Sequence, residues 1–197
     1  MNGRYFYLRV NHNMEIEKIV PFVTPIWRFN LGDDFQAEIA TCYNIESRIP
    51  SVSKSNLGGY QSPNINLSEY FNALKDKLFP VLKVISDDIE MNLGLDNSWV
   101  NINRKNNSNR IHTHRDSAFS GTVYLKTNPN SGQIVFLNPT MSEAFPIDDT
   151  IKHFYGRYEI TPVVGDVLVF PSYLSHYVDP NLSDEDRISI AFNMNQP

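Results

Sequence analysis

The chain has one cysteine, Cys42, among 197 residues, so no intrachain disulfide can form and the fold must rest on packing and hydrogen bonds. A single thiol fits a reducing compartment. No run of residues has the length and apolarity of a membrane-spanning helix, and the first residues lack an apolar core followed by a cleavage site. The expected location is therefore the cytoplasm, with no membrane partner. There is also no excess of positive charge: 17 Lys and Arg against 22 Asp and Glu give a net charge of −5, which argues against tight nonspecific binding to nucleic acid. Arg104, Lys105 and Arg110 form the one local basic cluster, and it reads as a solvated loop.

What is present is ordinary for a folded domain. Apolar residues make up 41% and aromatics 12%, enough for a sizeable core in one domain. Residues 1–18 read as an N-terminal extension and 19–197 as a single domain, with helical support over 33–95 and a β core over 98–197. Ile19 to Leu31 is rich in β-branched and aromatic residues but interrupted by Pro21 and Pro25, which predicts one or two edge strands. Asp33 and Asp34 are placed to cap a helix reaching about Ser47, with Phe35, Ile39 and Cys42 on one stripe. Ile49 to Ile65 contains Pro50, Pro63 and the pair Gly58-Gly59 among many Ser and Asn residues, and predicts a loop. Ser68 is placed to cap a long helix through Leu74, Leu78, Leu82 and Ile85, kinked or restarted at Pro80 and ended by Gly94.

From Trp99 the pattern is β throughout, with expected strands at 98–104, 110–116, 119–127, 132–137, 157–163, 166–170, 175–178 and 187–193. Asn128 to Gly132 reads as a hairpin turn, and 138–156 is the longest stretch without strand character. Many short strands without alternating helices predict a mainly β sandwich or barrel. His153, in that long loop, and His12 read as surface histidines.

The chemistry concentrates in Ile111-His112-Thr113-His114-Arg115-Asp116. In a strand, His112, His114 and Asp116 would share one face, with neighbours about 6.6 Å apart. His112 and Asp116, about 13 Å apart, could not both reach one ion, so the pair is His112 with His114 or His114 with Asp116. His-x-Asp followed at long range by one His is the pattern of the two-histidine, one-carboxylate site that holds non-haem Fe(II), and His176 is the natural third ligand. The expected ligands are His114, Asp116 and His176, with His112 the alternative to Asp116.

Arg187-Ile188-Ser189-Ile190-Ala191-Phe192-Asn193 alternates with period two. Ile188, Ile190 and Phe192 would pack outward, while Arg187, Ser189 and Asn193 would face a cavity. A guanidinium fork with a hydroxyl two residues along suits capture of a dicarboxylate.

These pieces together resemble the Fe(II)- and 2-oxoglutarate-dependent oxygenases, specifically a small family common in bacteria and tailed phages. The resemblance is carried by Ser55 to Ser62, Trp99 to Asn101, His112 to Asp116, Ser120 to Leu125, Gly132, Pro139, Phe170 to His176 and Arg187 to Asn193, in order from about residue 55 to the end. It implies a double-stranded β-helix (a jelly-roll, cupin-like fold), with Fe(II), 2-oxoglutarate and O₂ as cofactors and Arg187 and Ser189 on the 5-carboxylate. Asn101, Asn103 and Tyr124 are further expected contacts to the co-substrate or substrate. It also implies release of succinate and CO₂ with hydroxylation of a substrate, a small molecule or a protein side chain, and a lid formed by the loop at 49–65. If a phage encodes the chain, the compartment is the host cytoplasm. Relatives often carry His-x-His where His112 and His114 stand. The competing reading is a cupin-like metal-binding or structural protein without turnover; oligomeric state is left open.

Overall fold

The alternation at Arg187 to Asn193 is realised as a central strand in the computed structural model of the protein. That structure describes the main chain of residues 4–11 and 14–20 and the whole of residues 23–140 and 156–197. The elements are β1 (Arg4–Asn11), β2 (Met14–Val20), β3 (Trp27–Asn30), α1 (Gln36–Arg48), β4 (Asn56–Leu57), β5 (Tyr60–Gln61), α2 (Leu67–Tyr70) and α3 (Asn72–Asp88). They continue with β6 (Gly94–Asn103), β7 (Ser108–His112), β8 (Phe119–Lys126), β9 (Ile134–Leu137), β10 (Arg157–Ile160), β11 (Asp166–Pro171), β12 (His176–Val178) and β13 (Arg187–Asn195).

The strands form a six-stranded sheet in the order β3-β11-β8-β13-β6-β5 and a five-stranded sheet in the order β10-β9-β12-β7-β4, every pair antiparallel. This is the expected double-stranded β-helix. Its six-stranded sheet divides two cores. On the outer face, Val100, Ile102, Val123, Val167, Ile188, Ile190 and Phe192 pack against α1 and α3 through Cys42, Ile45, Leu74, Leu78 and Leu82. Each fully buried Leu or Ile is worth about 1.5–3 kcal/mol, so this layer supplies much of the stability. On the inner face, Tyr124, Leu168 and Phe170 meet Ile134 and Phe136 of the five-stranded sheet.

The differences from expectation are local. β1 and β2 pair antiparallel with each other, largely within the stretch read as an N-terminal extension. The first residue of α1 follows Phe35, which makes no side-chain cap bond, rather than Asp33 or Asp34; burial of Phe35 in the core sets the start. The helix expected from Ser68 is two helices, because the buried Phe71 breaks it, and Asn66 caps the first by accepting from the Ser68 N–H at 2.9 Å. Pro80 lies inside α3. The loop at 49–65 contains a clip: β4 pairs with β7 of one sheet and β5 with β6 of the other. The turn between them needs the left-handed backbone of Gly58 (φ +79°), and a Cβ on Gly59 would lie 2.8 Å from Asn103 Nδ2. Most of the loop at 138–156, with His153, and His12 lie outside the described residues.

Edge strand β3 is tied to β11 by Asp166, which is buried and accepts from Arg28 Nη2 at 2.6 Å, Arg28 Nε at 3.1 Å and the Val163 N–H at 2.9 Å. Asp166→Asn is expected to cost about 1.5–3 kcal/mol by removing charge-assisted bonds from a buried site. Chemical denaturation would read this as a lowered midpoint, and an unchanged midpoint would show that the pairing of β3 does not depend on it.

Candidate metal centre and anion pocket

β7 ends at His112, and the chain then turns at Arg115 and Asp116. The His114 N–H donates to the Ser172 carbonyl at 2.9 Å, and the turn is held by Asn195, whose Nδ2 donates to the Asp116 carbonyl at 3.1 Å. The period-two face predicted for residues 112–116 therefore stops at His112. His112 and His114 still converge, and β12, pairing His176 directly with His112, brings the third ring beside them. One ring nitrogen from each of His112, His114 and His176 lies within 4.8 Å of the other two. Asp116 is exposed on the turn and is not among that group.

All three rings are held in the same protonation pattern. His112 Nδ1 donates to the Arg110 carbonyl at 2.8 Å and His176 Nδ1 to the Leu174 carbonyl at 2.9 Å. His114 Nδ1 lies 2.7 Å from Asn193 Oδ1, and Asn193 is itself oriented by its Nδ2 donating to Asn97 Oδ1 at 3.0 Å. With each Nδ1 carrying the proton, each Nε2 keeps a free lone pair, the form a metal ligand needs. Burial keeps the rings neutral, lowering all three from the usual histidine value and pushing His176 down to about 3.

The same chamber contains Arg187, Ser189, Tyr124, Asn101 and Asn103, so every residue expected to contact co-substrate or substrate lines the space next to the histidines. Arg187 is 2% exposed. Its Nη1 donates to the carbonyls of Ser131 and Asp179, whereas Nη2 is buried without a hydrogen-bond partner. A buried guanidinium with an unpaired nitrogen is costly unless an anion completes it. The acids near it in sequence are engaged elsewhere: Asp184 pairs with Lys105 and Glu185 with Lys126. Gly132 makes room for this arrangement, since a Cβ there would lie 2.7 Å from Arg187 Nη1 and 2.4 Å from the Asp179 carbonyl oxygen. Burial raises the Tyr124 phenol to about 12, so it stays protonated and able to donate to an anion. The donor set thus fits a divalent metal beside a carboxylate.

The profile of a family described as "Putative 2OG-Fe(II) oxygenase" matches residues 97–193, which include all of these groups. Over this span, just under half of the chain, the sequence is similar to that family. The family's members are non-haem iron dioxygenases that use Fe(II), 2-oxoglutarate and O₂. No curated protein sequence matches the chain. Among solved structures, HygX from Streptomyces hygroscopicus, with nickel, 2-oxoglutarate and hygromycin B bound, superposes with a TM-score of 0.60 at 18% identity, covering 88% of this chain and 83% of HygX. A Pseudomonas putida prolyl-4-hydroxylase gives 0.59 at 17% identity over 87% and 92%. A prolyl hydroxylase from Trichoplax adhaerens, in complex with a hypoxia inducible factor peptide fragment, gives 0.63 at 17% over 86% and 82%. At such identities the likeness is one of fold. No helix among the described residues is long and apolar enough to cross a membrane.

Sequence reasoning gave no role to Ser120 or Ser172. Ser120 Oγ reaches His114 Nδ1 at 3.0 Å, Asn193 Oδ1 at 2.8 Å and Ser172 Oγ at 2.6 Å, so these hydroxyls complete the support of His114. Asn193 was legible as cavity-facing from its parity with Arg187 and Ser189. Ser120 and Ser172 sit in apolar surroundings of the sequence that carry no such signal.

The depressed histidines give a pH prediction. Their folded values lie below the unfolded one, so below about pH 6.5 the unfolded chain takes up protons that the folded chain refuses. Stability of the metal-free protein should therefore be complete above about pH 6.5 and fall as pH drops toward 3, with a slope of up to about 1.4 kcal/mol per pH unit for each linked proton. Denaturation across that range in wild type and His176→Asn checks it: the variant should have the shallower slope, and equal slopes would contradict it.

Proposed function

We propose that the protein is an Fe(II)- and 2-oxoglutarate-dependent dioxygenase whose metal is held by His112, His114 and His176, and that it hydroxylates a small molecule or a protein side chain. The observation that carries this reading is the meeting, in one chamber, of three neutral imidazoles and a buried guanidinium whose Nη2 has no partner. A scaffold that only bound a metal would have no use for the second. The exposed turn position of Asp116 favours His112 as the third ligand, in place of the carboxylate of the commoner facial triad.

Bound Fe(II) supplies the oxidising chemistry, in which 2-oxoglutarate and O₂ give succinate and CO₂ and one oxygen atom enters a substrate C–H bond. The chain's own residues set the stage for it. Arg187 and Ser189 grip the 5-carboxylate of 2-oxoglutarate, Tyr124 donates to the same end, and Asn101 and Asn103 line its flank. Asn193 and Ser120 keep His114 turned with Nε2 inward, and the apolar wall at Phe170 and Val178 keeps water from that side.

Anaerobic titration with Fe(II) separates the candidate ligands. His112→Ala should lose most of its iron affinity and Asp116→Ala should stay close to wild type; the reverse order would return the site to His114, Asp116 and His176. Wild type that binds neither Fe(II) nor 2-oxoglutarate would leave the alternative of a structural protein that keeps the fold without the chemistry. For the clamp, Arg187→Met should weaken 2-oxoglutarate binding about 10- to 150-fold, the loss of a charge-assisted bond of about 1.5–3 kcal/mol, with Fe(II) affinity kept. Equal co-substrate affinity in calorimetry would remove Arg187 from the role.

A further inference from the structure

A second space opens from the histidines toward solvent, sharing Ser55, Trp99, His112 and His114 with the inner chamber. Its exposed parts carry both signs of charge, from Lys54, Arg110 and Arg115 on one hand and Asp96 and Asp116 on the other. Gln61, itself largely buried, is also among the residues that line it.

Gln61 combines a fixed main chain with an unsatisfied side chain. Its N–H donates to Ser51 Oγ at 3.1 Å, and its carbonyl accepts from the Val52 N–H at 2.9 Å. Strand β5 alternates, so Tyr60 points into the outer core while Gln61, paired in register with Asn101, lies on the side of the sheet that carries the site. The residue is 7% exposed, and its Oε1 is buried with no hydrogen-bond partner. Leaving such a group unpaired costs about 1–3 kcal/mol, so its presence in the lining of this space points to a ligand that completes it.

On the reading that this site is an oxygenase, we infer that Gln61 is a specificity-determining residue for the primary substrate, and that the substrate presents to it a neutral hydrogen-bond donor, an amide N–H or a hydroxyl. A carboxylate would set oxygen against oxygen, and a hydrocarbon would leave Oε1 unpaired. A neutral donor satisfies it without needing a charge partner. The contact lies on the rigid clip that joins the two sheets, so it fixes the substrate relative to the histidines rather than following a mobile loop.

The test uses the full chain loaded with Ni(II) and 2-oxoglutarate, wild type and Gln61→Leu. Two sets of probes are titrated by saturation-transfer NMR: N-acetyl amino-acid amides, and methyl glycosides. Each is paired with its donor-free congener, the N,N-dimethyl amide or the permethylated glycoside. The expected result is that wild type prefers the donor-bearing member of at least one set by roughly tenfold or more, and that Gln61→Leu removes the preference. Which set responds tells a peptide-like source of the donor from a sugar-like one. A preference that survives in Gln61→Leu, binding of the methylated congeners as tight as their parents, or binding of no probe in either set overturns the inference. Binding of 2-oxoglutarate, measured on the same samples, should be equal in the two proteins. Its absence in wild type would instead count against the oxygenase reading, and its loss only in Gln61→Leu would place that residue in the co-substrate pocket and overturn the inference as well.

Discussion

The alternation of β13 is the constraint on which the rest depends. This strand is paired on both sides, with β6 and β8, and cannot slip by one residue without exchanging its faces. In the register it keeps, Ile188, Ile190 and Phe192 are fully buried against the helical layer, while Arg187, Ser189 and Asn193 face the opposite way. The apolar face makes the register costly to change, and the polar face inherits its position from that. Arg187 at one end and Asn193 near the other then set the span between the anion pocket and the support of His114.

Support for the histidines is shared out in a related way. The acceptors on His112 and His176 are main-chain carbonyls two residues before each ring, from Arg110 and Leu174, so side-chain substitution cannot easily remove them. Only His114, which lies beyond the end of β7, depends on side chains, through Asn193 and Ser120. The ring with the least regular backbone has the most elaborate partners. A turn cannot hold an imidazole through a ladder, and a polar network from two neighbouring strands does so instead.

Much of this was legible in the sequence because period two is a local signal. Strands β8, β11 and β13 could be read within two residues of their ends, and the placing of Arg187, Ser189, His114 and His176 around one chamber from residue type and spacing. What failed was extrapolation of that period past its end. His112, His114 and Asp116 share a parity, but tertiary bonds from Ser172 and Asn195 turn the chain after His112, and no pattern within five residues reports them. The starts of the helices were misplaced for the same reason: good capping side chains at Asp33, Asp34 and Ser68 were outweighed by burial of Phe35 and Phe71. The short clip strands at Asn56–Leu57 and Tyr60–Gln61 were hidden in a segment whose Gly, Ser and Asn content reads as loop.

The six-stranded sheet also works as a partition. Its outer residues answer only to the helices, and its inner ones to the chamber, with one backbone between them. Substitutions that repack the helical side can accumulate as long as they keep the sheet where it is, and the inner wall is left undisturbed by them. A fold built on such a wall can exchange many of its scaffold residues without moving the chamber. An overlap of 0.59 to 0.63 in fold at 17 to 18% identity is the kind of divergence that this separation permits.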